Sequence, residues 1–75
     1  MNWREHIVVD PRVLHGKACF KGTRIPVAVV LDNLAAGVSE DDLRKEYPTL
    51  PDQAVTAAIA YAAELAKEQV LDLPA

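Results

Sequence analysis

The sequence contains one cysteine, Cys19, so it cannot form a disulfide within a single chain. A lone cysteine also suits a reducing cytoplasm better than the disulfide-dense scaffolds of small secreted domains. Long apolar runs are missing as well. The richest stretch, Ala54–Ala66, is interrupted by Thr56 and Glu64 and falls short of the ~20 apolar residues that a bilayer requires. It reads as a core helix, and no membrane partner is expected. Met1–Glu5 is polar and Ile7–Val9 is too short for the apolar core of a signal peptide, so a cytoplasmic location is expected. There are no repeats, no low-complexity tracts and no linker that would divide the chain. The Walker phosphate loop is absent, and so is any Ser/His/Asp set. The neighbouring carboxylates Asp41 and Asp42 belong to a helix start. These absences argue against an enzyme, and no cofactor is expected.

What remains is a single domain of 75 residues. A chain of this size buries only ~60% of the surface it exposes when unfolded. Without a disulfide, its added support must come from a metal or a second subunit. Cys19, His15 and His6 do not make a metal site: their spacing is irregular, a second cysteine is missing and no fourth ligand is apparent. Cys19 reads instead as a small buried apolar residue.

The net charge is −3, which does not announce a nucleic-acid binder. Its distribution is more informative. Up to Ile25 five bases (Arg4, Arg12, Lys17, Lys21, Arg24) face two acids, whereas from Pro26 onward three bases face nine acids. The front of the chain is basic and the back acidic.

The front, residues 1–25, reads as an arm of short strands and turns. Ile7–Val9 is β-branched, and Asp10-Pro11 ends it because the residue before proline avoids the α region. Ala18–Phe20 and Thr23–Ile25 are expected to form a small hairpin around Lys21-Gly22. The back, residues 26–75, is helical. Pro26 suits a first helical position, with Val27, Val30, Leu31 and Leu34 at helical spacing and Gly37 as the stop. Ser39 caps a second helix, Asp42 completes a capping-box pattern, Val38 and Leu43 supply a hydrophobic staple, and Pro48 ends the helix near Glu46. A third helix is expected from Pro51 to about Val70, with Val55, Ile59, Ala62, Leu65 and Ala66 on its apolar stripe. The predicted fold is mainly α: a three-helix helix-turn-helix core behind a short N-terminal β-strand/turn arm.

The segments Ile7–Val13 (IVVDPRV), Gly16–Val27 (GKACFKGTRIPV), Val30–Ser39 (VLDNLAAGVS), Tyr47-Pro48 and Ala57–Ala63 (AAIAYAA) resemble the domain-of-unknown-function family number 433. The similarity runs from Ile7 to about Ala66. It departs from the pattern at Ala18, where proline is usual, and at Pro51, where a Ser or Thr cap is common. The family looks like VapB-type antitoxins with a homeodomain-like core. The resemblance thus implies an antitoxin that neutralises a PIN-like ribonuclease toxin and represses its own operator. A stand-alone DNA-binding regulator and a dimeric adaptor module are the alternatives.

Under that reading, Lys17, Lys21 and Arg24 are candidate phosphate contacts beside the start of the first helix. The rival reading makes Gly16–Arg24 a structural turn in which Arg24 pairs with Asp10. The second helix opens on Glu40, Asp41 and Asp42, which phosphates repel and the helix dipole explains. A homeodomain-like third helix would offer Gln53 and Thr56 to DNA, a thin set for base reading. A homodimer is expected through the arm, with Ile7, Val9 and Phe20 at the interface. Trp3 reads either as a cap over the core or as a dimer anchor. At the far end Leu65, Val70, Leu71 and Leu73 alternate with Glu64, Glu68 and Asp72. Such an acidic, apolar-anchored end suits a groove on a basic toxin; the rival reading is that the tail closes the protein's own core.

Overall fold

A computed structural model of the chain describes residues 1–68. A 3₁₀ turn at Trp3–Glu5 precedes strand β1 (Ile7–Val9), which pairs with strand β2 (Ala18–Phe20). Helices α1 (Val27–Ala35), α2 (Glu40–Glu46) and α3 (Ala54–Glu68) follow. The expected strand-then-helix division is therefore present, as three helices and a two-stranded antiparallel sheet. No helix among the described residues is long and apolar enough to cross a membrane.

The sheet differs from the expected hairpin. β2 pairs with β1 in the register Ile7↔Phe20, Val8↔Cys19, Val9↔Ala18. Thr23–Ile25 returns past β2 only through the Phe20 N–H to Ile25 carbonyl bond (3.2 Å) and a bridge between Cys19 and Pro26. The reason is local. The Thr23 hydroxyl donates to the Phe20 carbonyl (2.9 Å) and accepts from the Ile25 N–H (3.1 Å), and the next residue is a proline without an N–H. The Lys21-Gly22 turn itself forms, with Gly22 at φ 76°.

The loop joining β1 to β2 contains a 3₁₀ turn at Leu14–Gly16. Leu14 (φ 48°), His15 (φ 57°) and Gly16 (φ 83°) are all left-handed. For the two residues with side chains this costs roughly 1–2 kcal/mol each. Bonds from the Gly16 N–H to Val13 (3.0 Å) and from the Lys17 N–H to Leu14 (3.2 Å) hold the turn.

α1 starts one residue later than expected, with Pro26 as its N-cap. It ends as the sequence predicts. Gly37 (φ 86°) donates to the Leu34 carbonyl and Val38 to the Asn33 carbonyl, both at 3.0 Å, the paired bonds of a Schellman stop. Ser39 Oγ accepts from the Asp42 N–H (3.1 Å) at the start of α2, so the predicted cap forms.

α3 departs most from the sequence reading. It begins at Ala54 rather than Pro51: the Pro51 carbonyl closes a turn to the Ala54 N–H (3.0 Å), and the Pro51 and Asp52 carbonyls also accept from Arg44 (3.2 and 2.7 Å). Its inward stripe is also rotated. Ala54, Ala57 and Ala58 are completely buried and Val55 nearly so, while Ile59 is 53% exposed. Alanines let the α3 backbone lie close to α1 and to the large core side chains Phe20, Leu43 and Leu50. At the other end of the chain Trp3 packs edge-on against Tyr61 with ring centroids 4.9 Å apart. Of its two readings, Trp3 takes the one of a cap over this chain's own core.

Candidate nucleic-acid interface and apolar groove

Lys17, Lys21 and Arg24 are all exposed, and among the described residues none of them forms an ion pair. Their positions follow from the turns just described. Lys17 leaves the left-handed Leu14–Gly16 turn, Lys21 follows β2 directly, and Arg24 lies between Thr23 and the buried Ile25. The proposed Arg24–Asp10 pair does not form. The two residues line one shallow hollow with Val8, Val13 and Thr23, but Asp10 is held by Arg12 instead, through its Nε (3.2 Å) and Nη2 (3.2 Å) and its backbone N–H (2.9 Å). The guanidinium bonds, followed by the backbone bond, keep the Asp10 carboxyl below its ordinary value of 3.8. Asp10 is thus held by Arg12, two residues along the chain, and Arg24 forms no ion pair among the described residues.

Gln53 and Thr56 are exposed at the start of α3. Lys17 and Arg24 line different hollows. The expected DNA contacts are thus all exposed.

Lys17 lies on a groove of about 520 Å³. Ala18, Val27, Leu31, Tyr61 and Leu65 give it apolar walls, and Asp32 adds a second charge. It exists because α3 outruns the core. Ala57 and Ala58 are buried, Tyr61 is half-buried, and Leu65, one turn further, is 43% exposed. Leu65 is the one expected toxin contact that can be placed; Val70, Leu71 and Leu73 lie outside the described residues.

Two of the expected dimer contacts need correction. The side chains of Ile7 (4% exposed) and Phe20 (0%) face each other across the ladder and fill this chain's own core, so they are not interface side chains. Val9 is 56% exposed and remains available. Cys19 is buried, as expected, and its thiol donates to the Lys17 carbonyl (3.4 Å). No group of three metal-ligating side chains occurs among the described residues.

The sequence reading missed Arg44. Its guanidinium donates to the carbonyls of Leu50, Pro51 and Asp52 and to Glu40, locking the α2–α3 connection. The available signal was the Glu40–Arg44 spacing of four, which finds the ion pair but not the carbonyls. The groove was missed too, since its walls come from separate elements.

Comparison with known proteins agrees with this architecture. No curated protein matches the chain. A crystal structure of a DUF433 member protein from Anabaena variabilis is similar with a TM-score of 0.73 and 29% sequence identity, over 83% of this chain. The match spans 61% of that protein's chain, less than two thirds of its length. The family model described as "Protein of unknown function (DUF433)" matches residues 7–62, from β1 into the second half of α3. With more than half its length matched, and in the segments that carried the resemblance, the chain belongs to the DUF433 family.

Proposed function

We propose that this protein is a cytoplasmic, non-enzymatic DNA-associated regulator of the VapB antitoxin type, acting as a homodimer. In this reading it neutralises a PIN-like ribonuclease toxin and represses its own operator, with α2 and α3 as the helix-turn-helix. The observation that carries it is the set of exposed cations Lys17, Lys21 and Arg24, none paired with an acid among the described residues. Unpaired cations on a turn-rich arm beside a helix start are suited to phosphate oxygens. The net charge of the chain is negative, but most of its acids follow the arm in sequence, from Pro26 onward.

The test has two arms. The protein is copurified with the product of the adjacent gene, and its binding to the promoter fragment of its own operon is followed by fluorescence anisotropy at several salt concentrations. The antitoxin reading expects a stable complex with a small nuclease and salt-dependent DNA binding. DNA binding without a nuclease partner makes it a stand-alone regulator.

A second reading, a protein-binding adaptor, is favoured by one specific observation: the groove beneath the exposed Leu65. An exposed leucine at the mouth of an apolar cleft is a recurrent anchor for a partner helix. Absence of DNA binding at low salt, together with capture of the neighbouring gene product, would select it.

A further inference from the structure

The β1–β2 ladder fixes which backbone groups of β1 are used. Lys21 donates its N–H to the His6 carbonyl at 2.9 Å, so His6/Lys21 is a hydrogen-bonded pair. In an antiparallel ladder such pairs alternate with non-bonded ones. Val8/Cys19 is therefore the next bonded pair, while Ile7/Phe20 and Val9/Ala18 are non-bonded. The Phe20 N–H confirms the phase, because it points the other way, to Ile25. It follows that the N–H and C=O groups of Ile7 and Val9 face away from β2. On the far side of β2, Ile25 and Pro26 occupy the edge. On the far side of β1, no backbone hydrogen bond from a described residue reaches Ile7 or Val9.

This free edge is self-complementary. We infer that β1 pairs antiparallel with β1 of a second copy about a two-fold axis at Val8, giving a four-stranded sheet across the dimer. The inference deepens the dimeric part of the reading above and requires neither DNA nor a toxin. In this register Ile7 lies opposite the partner copy's residue 9, and Val9 opposite its residue 7. Every outward N–H and C=O of the two residues then meets an acceptor or donor. The phase makes Val8 opposite Val8 a non-bonded pair, the kind with the closer side chains. Val8 is 39% exposed, so the close pair would cover apolar surface now open to water.

Beyond the strand ends this register sets His6 opposite Asp10 of the second copy, but that carboxylate is already held by Arg12, so the register rests on the backbone phase and on Val8. Shifting the pairing by one residue would leave the outward groups facing the wrong way. Shifting it by two would place Asp10 opposite Val8 in one direction and His6 opposite Val8 in the other, and in both would separate the two Val8 side chains. An unrelated strand would satisfy the backbone but has no reason to present this symmetry, and a closed two-fold interface leaves no edge for further growth.

The test uses the whole chain. Sedimentation equilibrium at micromolar concentration is expected to show a dimer. Val8→Cys is expected to form a cross-chain disulfide under mild oxidation, because a non-bonded pair holds its Cα atoms about 4.5 Å apart, within disulfide reach. Val9→Cys is not, since residue 9 faces residue 7 of the other copy. The buried Cys19 stays silent in both. Val8→Lys sets like charges opposite each other and is expected to weaken the dimer by about tenfold or more, with helical circular dichroism unchanged. A monomer at every concentration overturns the inference. So does a dimer that ignores Val8→Lys and cross-links no better through Val8→Cys than through Val9→Cys. Loss of DNA or toxin binding with the dimer intact would fault the functional reading alone.

Discussion

The indole N–H of Trp3 donates a 2.6 Å hydrogen bond to the carboxylate of Glu64, 61 residues away on α3. Around it, Arg4 lies over the indole ring (4.4 Å to the centroid) and reaches the same carboxylate at 3.4 Å. Tyr61 meets the ring edge-on. These contacts tie the 3₁₀ turn before β1 to the second half of α3, beyond the point where the core alanines end. They also explain why the polar-looking start of the chain is part of the fold.

Replacing Trp3 should therefore loosen the C-terminal half of α3. Trp3→Ala is expected to lower stability by roughly 2–4 kcal/mol, somewhat less than a fully buried aromatic because Trp3 is only half-buried. Trp3→Phe keeps a ring against Tyr61 and loses the hydrogen bond, for about 1–2 kcal/mol. Urea denaturation followed by circular dichroism separates the two. Equal losses would mean that the hydrogen bond, not the ring, holds the turn.

Arg44 is a second tie, local to the α2–α3 connection. It donates to three carbonyls of that connection, those of Leu50, Pro51 and Asp52, of which the Pro51 carbonyl also accepts from the Ala54 N–H (3.0 Å). Its bond to Glu40 is an exposed pair four residues apart and contributes only about 0.3–0.5 kcal/mol. Arg44→Ala should accordingly cost about 1–3 kcal/mol, and Glu40→Ala far less. Arg44→Lys should recover little, because an ammonium cannot reproduce the planar fork. Thermal melts of the three variants decide the matter. An Arg44→Ala melt no lower than that of Glu40→Ala would show that the carbonyl contacts contribute nothing.

The local signals were legible in the sequence, and the through-space ones were not. Ser39, Gly37 and Pro48 act on neighbours within a few residues, so the cap of α2, the stop of α1 and the end of α2 could be read directly. The partner of β2 could not. The Lys21-Gly22 turn points to Thr23–Ile25, yet the regular partner lies across the loop from Asp10 to Lys17, and left-handed Leu14 and His15 give no sequence warning. The face of α3 was misread because hydrophobicity favours Ile59 over alanine, whereas close packing favours alanine. The candidate cations were visible as a charge imbalance. That Arg12 would occupy Asp10 depends on side-chain geometry.

The Asp10–Arg12 pair predicts an acid limb of stability with a definite sign. Hydrogen bonds from Arg12 hold the folded carboxyl below its ordinary 3.8. The folded state thus favours the ionised form more than the unfolded state does. The contribution is present above the ordinary value and is lost as pH falls through the depressed one. Asp10→Asn should flatten the stability profile over that acid window and leave it unchanged in shape near neutrality. In an NMR titration the Asp10 carboxyl should titrate below 3.8, and Arg12→Ala should return it toward that value. An Asp10 that titrates normally with Arg12 in place would show that the pair does not persist in solution.

DNA binding by the proposed regulator should depend on the arm more than on α3. Lys17, Lys21 and Arg24 are exposed and unpaired among the described residues, so replacing them disturbs no internal ion pair. Gln53 and Thr56 are exposed too, but they carry no charge, and Gln53 follows the acidic Asp52. Phosphate contacts act on all sequences alike and release counterions, each steepening the dependence of log affinity on log salt by about 0.9. The triple variant K17A/K21A/R24A should therefore bind specific and random duplexes more weakly by a similar factor. Its salt slope should fall by up to roughly three per chain if all three cations engage phosphates. The double variant Q53A/T56A should leave the slope unchanged and narrow only the preference for the operator over random DNA. Anisotropy titrations at several salt concentrations read both quantities. An unchanged slope in the triple variant would make the arm a purely structural turn. A slope that falls only in the double variant would move the phosphate contacts to α3.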